Sequence, residues 1–416
     1  MQVGFIHFDR SDQKKYLAVL DRLSEGGAID ELGIGRIRDW YSEHMFPGVS
    51  SLHRHAKYLA VLPLLYRKAA TYYYRSRKEV RPQIVKLEIQ MTKAMLAAAK
   101  AEGRDNSGIT GNSQNLDKGQ YVKYDPTYIY GTALHRYGIM KHDDIEGMIF
   151  QQSRLDHDKP VRYEGSDVEQ GDTGAGPSVN LLCDFTGLDL AYPWESYCSM
   201  SLTKAEAEYL RDHMKSCKAA KGTLLEFLLN NAGKYDRYLS AKKFKEFRDF
   251  SKEICKNTNI PEEIRSMVGL ARHFSDLVRG LFHRYNMIYS KGADLGADPD
   301  PECEKDFLDW YSGVFLRDKE MMKASLDGIY VTDRGESVDF CRRAIAALEK
   351  GQPFAELDRI IIARERKIKT TKSKIGSRGF YDFEGRIHDY DLSYRWETIS
   401  LMLREIEEGL GVWQES

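Results

Sequence analysis

The chain has 416 residues, and its 62 Lys and Arg against 63 Asp and Glu give a formal net charge of −1 at pH 7. Hydrophobic residues make up 42% and charged residues 30% of the sequence, a globular composition that argues against long disordered stretches. Because the charges balance, binding to nucleic acid or acidic lipid requires a local basic patch and not a global field. The length predicts two or three domains.

Cysteine spacing and apolar run length limit the class of protein further. No two of the six cysteines have CxxC spacing, which argues against a zinc ribbon and fits reduced thiols in a cytosol. Residues 1–10 lack a basic segment followed by a long apolar run, so we expect no signal peptide. No stretch of about 18 apolar residues predicts a membrane span. We therefore expect a cytoplasmic protein with no membrane partner.

Apolar residues at helical spacing predict helices over residues 12–23 and 29–46. A third helix follows the turn at Pro47-Gly48, with Ser50 and Ser51 as its expected N-caps. Pro63 is expected to kink this helix, since proline removes a backbone donor and crowds the preceding turn.

A long amphipathic helix is predicted over residues 78–102, and a polar loop over 103–119. The next helix, over 124–137, has Asp125 as its expected N-cap and proline at its first position. Together with a second helix from Asp143 or Asp144, it has the pattern of a helix-turn-helix or a small winged-helix-like element.

Residues 165–177 are rich in glycine and polar residues and mark the first candidate domain boundary. The chain beyond residue 200 is helical in pattern, with helices predicted over 201–218, 241–255, 261–289, 303–311, 337–350 and 394–410. The sequence thus predicts a mainly α, multi-helix protein. Its expected domains are an N-terminal helical domain (1–120), a small helical or winged-helix-like region (121–200) and a C-terminal helical domain (201–416).

Short matches to catalytic motifs each lack a required partner. His55 and Lys57 start a phospholipase-D-like HxK motif, but its aspartate is absent. Asp172 stands in a DTG tripeptide without the preceding strand of an aspartic protease. His142 lacks the further ligands of a metal-dependent phosphohydrolase, and Asp300 fits the cap of a helix better than a nuclease site. There is no phosphate-binding loop, GxSxG or HExxH. We therefore expect no catalytic residues, no metal ligands and no cofactor.

A basic run covers residues 359–378 and contains eight Lys and Arg but only one acid, Glu365. A helix there would turn its isoleucines to the core and its cations outward, and Phe380, Tyr381 and Phe383 follow. Cations for phosphates beside aromatic rings for bases suit a nucleic-acid surface. A solvated helix face and a protein-binding face are the alternatives. The candidate phosphate ligands are Arg359, Arg364, Arg366, Lys367, Lys369, Lys372, Lys374 and Arg378.

A second basic cluster lies around the turn at Pro47-Gly48. The expected helix start at Ser50 and Ser51 would present unpaired backbone N–H groups, which suits an anion. Glycines that permit close helix packing are the alternative explanation. The residues of this possible anion site are Arg36, Arg38, Ser50, Ser51, Arg54 and Lys57.

The segment 26–66 resembles the N-terminal signature of an uncharacterised bacterial domain-of-unknown-function family, and weaker likenesses continue to residues 394–410. At two positions the chain departs from the signature, because His55 and Lys57 stand in place of arginines; this weakens an anion-binding role for the pair. The resemblance implies a bacterial cytoplasmic protein whose genes accompany helicases and nucleases in mobile or antiviral defence loci. The matching positions are Asp30, Glu31, Leu32, Gly33, Ile34, Gly35, Arg38, Asp39, Pro47, Gly48, Ser50 and Tyr58.

These observations lead to one expected function and two alternatives. We expect an accessory, nucleic-acid-contacting subunit of a bacterial anti-phage assembly that is not catalytic alone, with DNA or RNA as its partner. The first alternative is a scaffold that recruits a protein partner such as a helicase or nuclease. The second is a cryptic enzyme, which requires Asp30, Glu31, Arg38, Asp39 and His55 to converge in one pocket.

Overall fold

The computed structural model describes residues 32–157, 180–240, 244–292, 294–376 and 391–414. The protein is mainly α, as predicted. In the described part of the chain the β pairing is a single antiparallel bridge between Met140 and Cys183. The winged-helix-like element therefore has its two helices there but no sheet. The helix predicted over 12–23 and the glycine-rich segment 165–177 lie outside the described residues.

The helices are numbered here in chain order. They are α1 (Gly35–Met45), α2 (Lys57–Ala70), α3 (Val80–Ala101), α4 (Pro126–Arg136), α5 (Ile145–His157), α6 (Lys204–Ser216), α7 (Leu224–Asn230), α8 (Phe247–Lys256), α9 (Glu262–Tyr289), α10 (Pro301–Trp310), α11 (Leu316–Ala324), α12 (Glu336–Glu349), α13 (Ala355–Lys369) and α14 (Trp396–Leu410). A π-helix, Tyr311–Phe315, joins α10 to α11.

The chain divides into two compact units, each built from separate stretches of sequence. Unit 1 contains residues 1–46 and 240–397, and unit 2 contains residues 47–239 and 398–416. The sequence predicts three consecutive domains instead, and its boundaries near residues 120 and 200 both fall inside unit 2. A division of this kind depends on long-range packing, which local composition does not report.

Unit 1 is organised around α9, which packs against α1, α8, α10, α11 and α13. From His273 to Tyr289 every residue of α9 except Arg279 is buried. The helix therefore buries charged groups, which need partners in a medium of low polarity. Arg284 donates two hydrogen bonds to the Asp358 carboxylate, at 2.6 and 2.8 Å.

Unit 2 is organised around α2, whose neighbours are α3, α4, α5 and α6. All but two of the fourteen residues of α2 are buried, and the helix continues through Pro63. Lys57, at its first position, is fully buried and donates to both carboxylate oxygens of Glu206 at 2.6 and 2.8 Å. Glu206 in turn belongs to the capping box that starts α6.

Two helix starts differ from the prediction for identifiable reasons. Helix α1 begins at Gly35 and not near residue 29, because Gly33 has a φ of +61° that a continuous helix excludes. Helix α2 begins at Lys57, after Ala56, and not at Ser50 or Ser51. Ser50 instead accepts a local hydrogen bond from the Leu52 N–H at 3.2 Å.

The starts of two other helices agree closely with the sequence-based prediction. The Asp125 carboxylate caps α4, and Pro126 occupies its first position. Asp300 caps α10 by accepting from the N–H groups of Glu302 and Cys303, each at 3.0 Å. These caps confirm the interpretation of both aspartates as helix starts.

Gly280 provides a test of the packing around α9. A Cβ atom at Gly280 would lie 2.0 Å from the Trp310 ring, whereas one at Gly269 on the same helix would lie 3.6 Å from Cys255. We expect Gly280→Ala to lower the free energy of unfolding by about 3 kcal/mol or more through overpacking. Gly269→Ala should raise it by about 0.5–1 kcal/mol through helix propensity. Urea denaturation of both variants measures this difference, and equal effects would contradict the packing.

Candidate functional site

The basic run lies on α13 and in the turn that follows it. Leu357, Ile360 and Ile361 are buried on one side of α13, and the helix packs against α12 and α9. The opposite side carries Arg359 and Arg366, which are seven residues apart and so lie on the same face about 10 Å along the axis. The predicted division into an isoleucine face and a cationic face is present in part, because Ile368 is exposed and Arg364 is buried.

Glu365, the one acid of the run, points into the core. Its side chain is fully buried and accepts hydrogen bonds from the Tyr285 hydroxyl at 3.3 Å and the Lys374 N–H at 2.6 Å. Ser373 donates a third hydrogen bond to it. Because these groups hold the carboxylate inside, it does not neutralise the cations on the outer face.

The candidate phosphate ligands other than Arg364 fall into three groups. Lys369 and Lys374 are partly exposed, and the Lys372 side chain and all of Arg378 lie outside the described part of the chain. Lys367 also lies 3.0 Å from Glu336. The aromatic residues Phe380, Tyr381 and Phe383 are likewise not among the described residues. Exposed side chains are found at Arg359, Arg366 and Lys367.

Arg364 has a structural position instead. It is 7% exposed and donates to the backbone oxygens of Leu32 and Gly33, at 2.9 and 3.2 Å. A Cβ atom at Gly33 would lie 2.9 Å from the Arg364 guanidinium. Gly33 is therefore needed both for its left-handed backbone and for this close approach. The contact gives the glycine-rich segment before α1 a packing role.

The residues of the possible anion site are divided between the two units. In unit 1, Arg36 lies 3.7 Å from Asp333, and the buried Arg38 donates two hydrogen bonds to Asp39 at 2.9 and 2.7 Å. In unit 2, the exposed Arg54 makes a long contact of 3.5 Å with the Ser51 carbonyl oxygen. Lys57 is used by its buried pair with Glu206.

The start of α2 already holds an anion, namely the carboxylate of Glu405 from α14. One of its oxygens accepts from the Ala56 N–H at 2.7 Å, and the other contacts the His55 Nδ1 at 2.5 Å. Burial opposes the positive charge of His55, but the hydrogen bond and charge of Glu405 outweigh it and raise the pKa of the imidazole. The anion at this helix start is thus supplied from within unit 2.

The cryptic-enzyme constellation is not assembled among the described residues. Asp30 and Glu31 lie outside them, Arg38 and Asp39 are bonded to each other, and His55 is bonded to Glu405. Near His142, Asp144 is bonded to Arg77 at 2.6 Å.

Three residues that the sequence analysis did not single out meet in unit 1. His273 and Asp276 lie one turn apart on α9, and Asp318 lies on α11; their nitrogen and oxygen atoms are within 4.8 Å of one another. Burial and the charge of Arg272 lower the pKa of His273. The His-x-x-Asp spacing on a predicted helix was the available signal, but Asp318 lies on a helix that the periodicity did not predict.

Comparison with known proteins gives a family match to the N-terminal part of the chain. Residues 1–149 match the profile of a family of unknown function (DUF6361). The resemblance to an uncharacterised domain family is therefore confirmed for this part of the chain, while α13 and the His273 cluster lie beyond the match. No curated protein and no solved structure matches the chain. None of the described helices is long and apolar enough to cross a membrane.

The pair of His55 and Glu405 predicts a pH dependence of stability. Since the folded state raises the pKa of His55, the pair stabilises fully below the unfolded pKa near 6.5 and loses this effect as the pH rises through the folded value. We expect Glu405→Gln to lower the free energy of unfolding by about 1.5–3 kcal/mol at about pH 6 and by less at about pH 9. Urea denaturation at both pH values measures the difference. Glu408→Gln, an exposed change on α14, should show no such trend, and a constant cost for Glu405→Gln would contradict the assignment.

Proposed function

We propose that this chain contacts nucleic acid through the outer face of α13, as an accessory subunit of a bacterial cytoplasmic anti-phage assembly. The observation that carries the proposal is the arrangement of charge within the basic run of α13. Arg359, Arg366 and Lys367 are exposed, while the one acid of the run is held in the core by three hydrogen bonds. Such a face attracts phosphates even though the net charge of the whole chain is −1.

The arrangement supports phosphate contact and not base readout. Arg359 and Arg366 are long exposed cations on one face of α13, and they are suited to a regularly charged backbone. We therefore expect binding with little sequence preference and a strong dependence on salt. The defence context is what the family resemblance implies, and it extends the proposal without carrying it.

The test is fluorescence anisotropy with a labelled duplex and a labelled single strand of mixed sequence, between about 50 and 200 mM salt. The triple variant R359Q/R366Q/K367Q should weaken binding at low salt and lower the slope of log K against log salt by about 2–3, since each lost phosphate contact lowers it by about 0.9. The control K100Q/K218Q/K221Q removes three exposed lysines of unit 2 and leaves the slope unchanged.

Two results would overturn this proposal. The first is the absence of measurable binding by the wild-type chain at low salt. The second is an equal loss of affinity in both triple variants, which would indicate a general charge effect. A stable complex with a protein partner that survives nuclease treatment, without any nucleic-acid binding, would favour the scaffold alternative.

A further inference from the structure

We propose that His273, Asp276 and Asp318 form a binding site for a divalent transition-metal ion of the Zn²⁺ type. They offer one imidazole nitrogen and two carboxylate oxygens within 4.8 Å of one another. A catalytic-type zinc site commonly has three protein ligands and leaves one position for water. This donor set mixes a nitrogen that suits Zn²⁺ with oxygens that suit harder ions.

The second observation is that one ring nitrogen of His273 lacks a hydrogen-bond partner. The residue is 9% exposed, and its Nδ1 atom makes no hydrogen bond. A buried polar atom without a partner costs about 1–3 kcal/mol unless something else binds it. On α9 the other buried charged groups, Asp276 and Arg284, have partners in the described structure. A bound cation would likewise give the imidazole a partner.

The two carboxylates are held in place but keep acceptor capacity. One Asp276 oxygen accepts from Arg248 at 2.7 Å, and Arg248 is shared with Asp391 at 2.9 Å. Both Asp318 oxygens accept from Arg317, at 3.0 and 2.7 Å. A carboxylate has about four lone-pair positions, so each of these groups can also bind an ion.

The geometry requires a modest contraction on binding. Ligand atoms around a tetrahedral Zn²⁺ with bonds of about 2.0–2.2 Å lie about 3.4 Å apart, so the cluster must close by up to about 1.4 Å. The Asp318 side chain is the one closest to solvent, at 18% exposed, and can rotate. Asp318 lies in the first turn of α11, which follows the π-helix Tyr311–Phe315, and such helix irregularities are frequent at functional sites.

Arg317 would compete with the ion for the Asp318 carboxylate. Its guanidinium is 67% exposed and neutralises Asp318 from the solvent side. Removing it should therefore tighten metal binding, whereas removing a ligand should weaken it. These opposite signs separate a metal site from a purely structural cluster, in which each change would only affect stability.

The experiment is calorimetric titration of chelator-treated wild-type protein with Zn²⁺, and with Co²⁺ as a spectroscopic probe. We expect one saturable site per chain, with no thiolate-to-cobalt charge-transfer band, since the ligands are nitrogen and oxygen. His273→Ala and Asp318→Asn should each weaken binding by at least about tenfold, and Arg317→Gln should tighten it. Circular dichroism confirms that each variant is folded.

The matched controls are His142→Ala and Asp309→Asn, which remove an exposed imidazole of unit 2 and an exposed carboxylate on α10. Both should bind Zn²⁺ as the wild type does. The proposal would be overturned by the absence of a saturable site, by a cobalt spectrum of thiolate ligation, or by equal affinity in wild type, Asp318→Asn and Arg317→Gln. None of these outcomes bears on nucleic-acid binding by α13.

Discussion

The burial of α9 is the constraint on which unit 1 depends. From His273 onward this helix is buried on almost every side, so its polar side chains need partners from the helices around it. Asp276 accepts a hydrogen bond from Arg248 of α8. Arg284 donates to Asp358 of α13. The Arg284 guanidinium also lies over the rings of Phe307 and Phe354, at 4.9 and 5.3 Å from their centroids. These pairs fix which helix packs where, since an unpaired charge in this core would be strongly destabilising.

Several cations of this chain stabilise the fold and are not available to a ligand. Arg364 binds the backbone beside Gly33, Arg38 binds Asp39, and in unit 2 Lys57 binds Glu206. The start of α2 is likewise occupied by Glu405. The balanced net charge of the chain therefore does not show that some cations are buried in pairs while others are exposed on α13.

The sequence predicted where the helices lie better than it predicted what their side chains contact. Strong periodicity and good caps located the helix after Asp125 and the long helix ending at Tyr289, because both signals are local. The helix start at Ser50 was misplaced because serines also cap turns. Periodicity predicted α10 but not α11, since the π-helix between them shifts the phase of the apolar residues.

Local sequence patterns were also of limited use for predicting the candidate sites. The basic run was visible as composition, but whether Arg364 or Glu365 points inward depends on partners 332 and 80 residues away in the chain. The meeting of His273 with Asp318 depends on the packing of α11 against α9, which no local pattern contains. Residues that are close in sequence were therefore easier to assign than residues that are close only in space.

The most direct test of this account is X-ray diffraction from crystals grown with Zn²⁺ and recorded at the zinc absorption edge. The account predicts an anomalous peak about 2.0–2.2 Å from a ring nitrogen of His273 and from carboxylate oxygens of Asp276 and Asp318. Zinc bound only at other positions, with the His273 ring still lacking a partner, would contradict it.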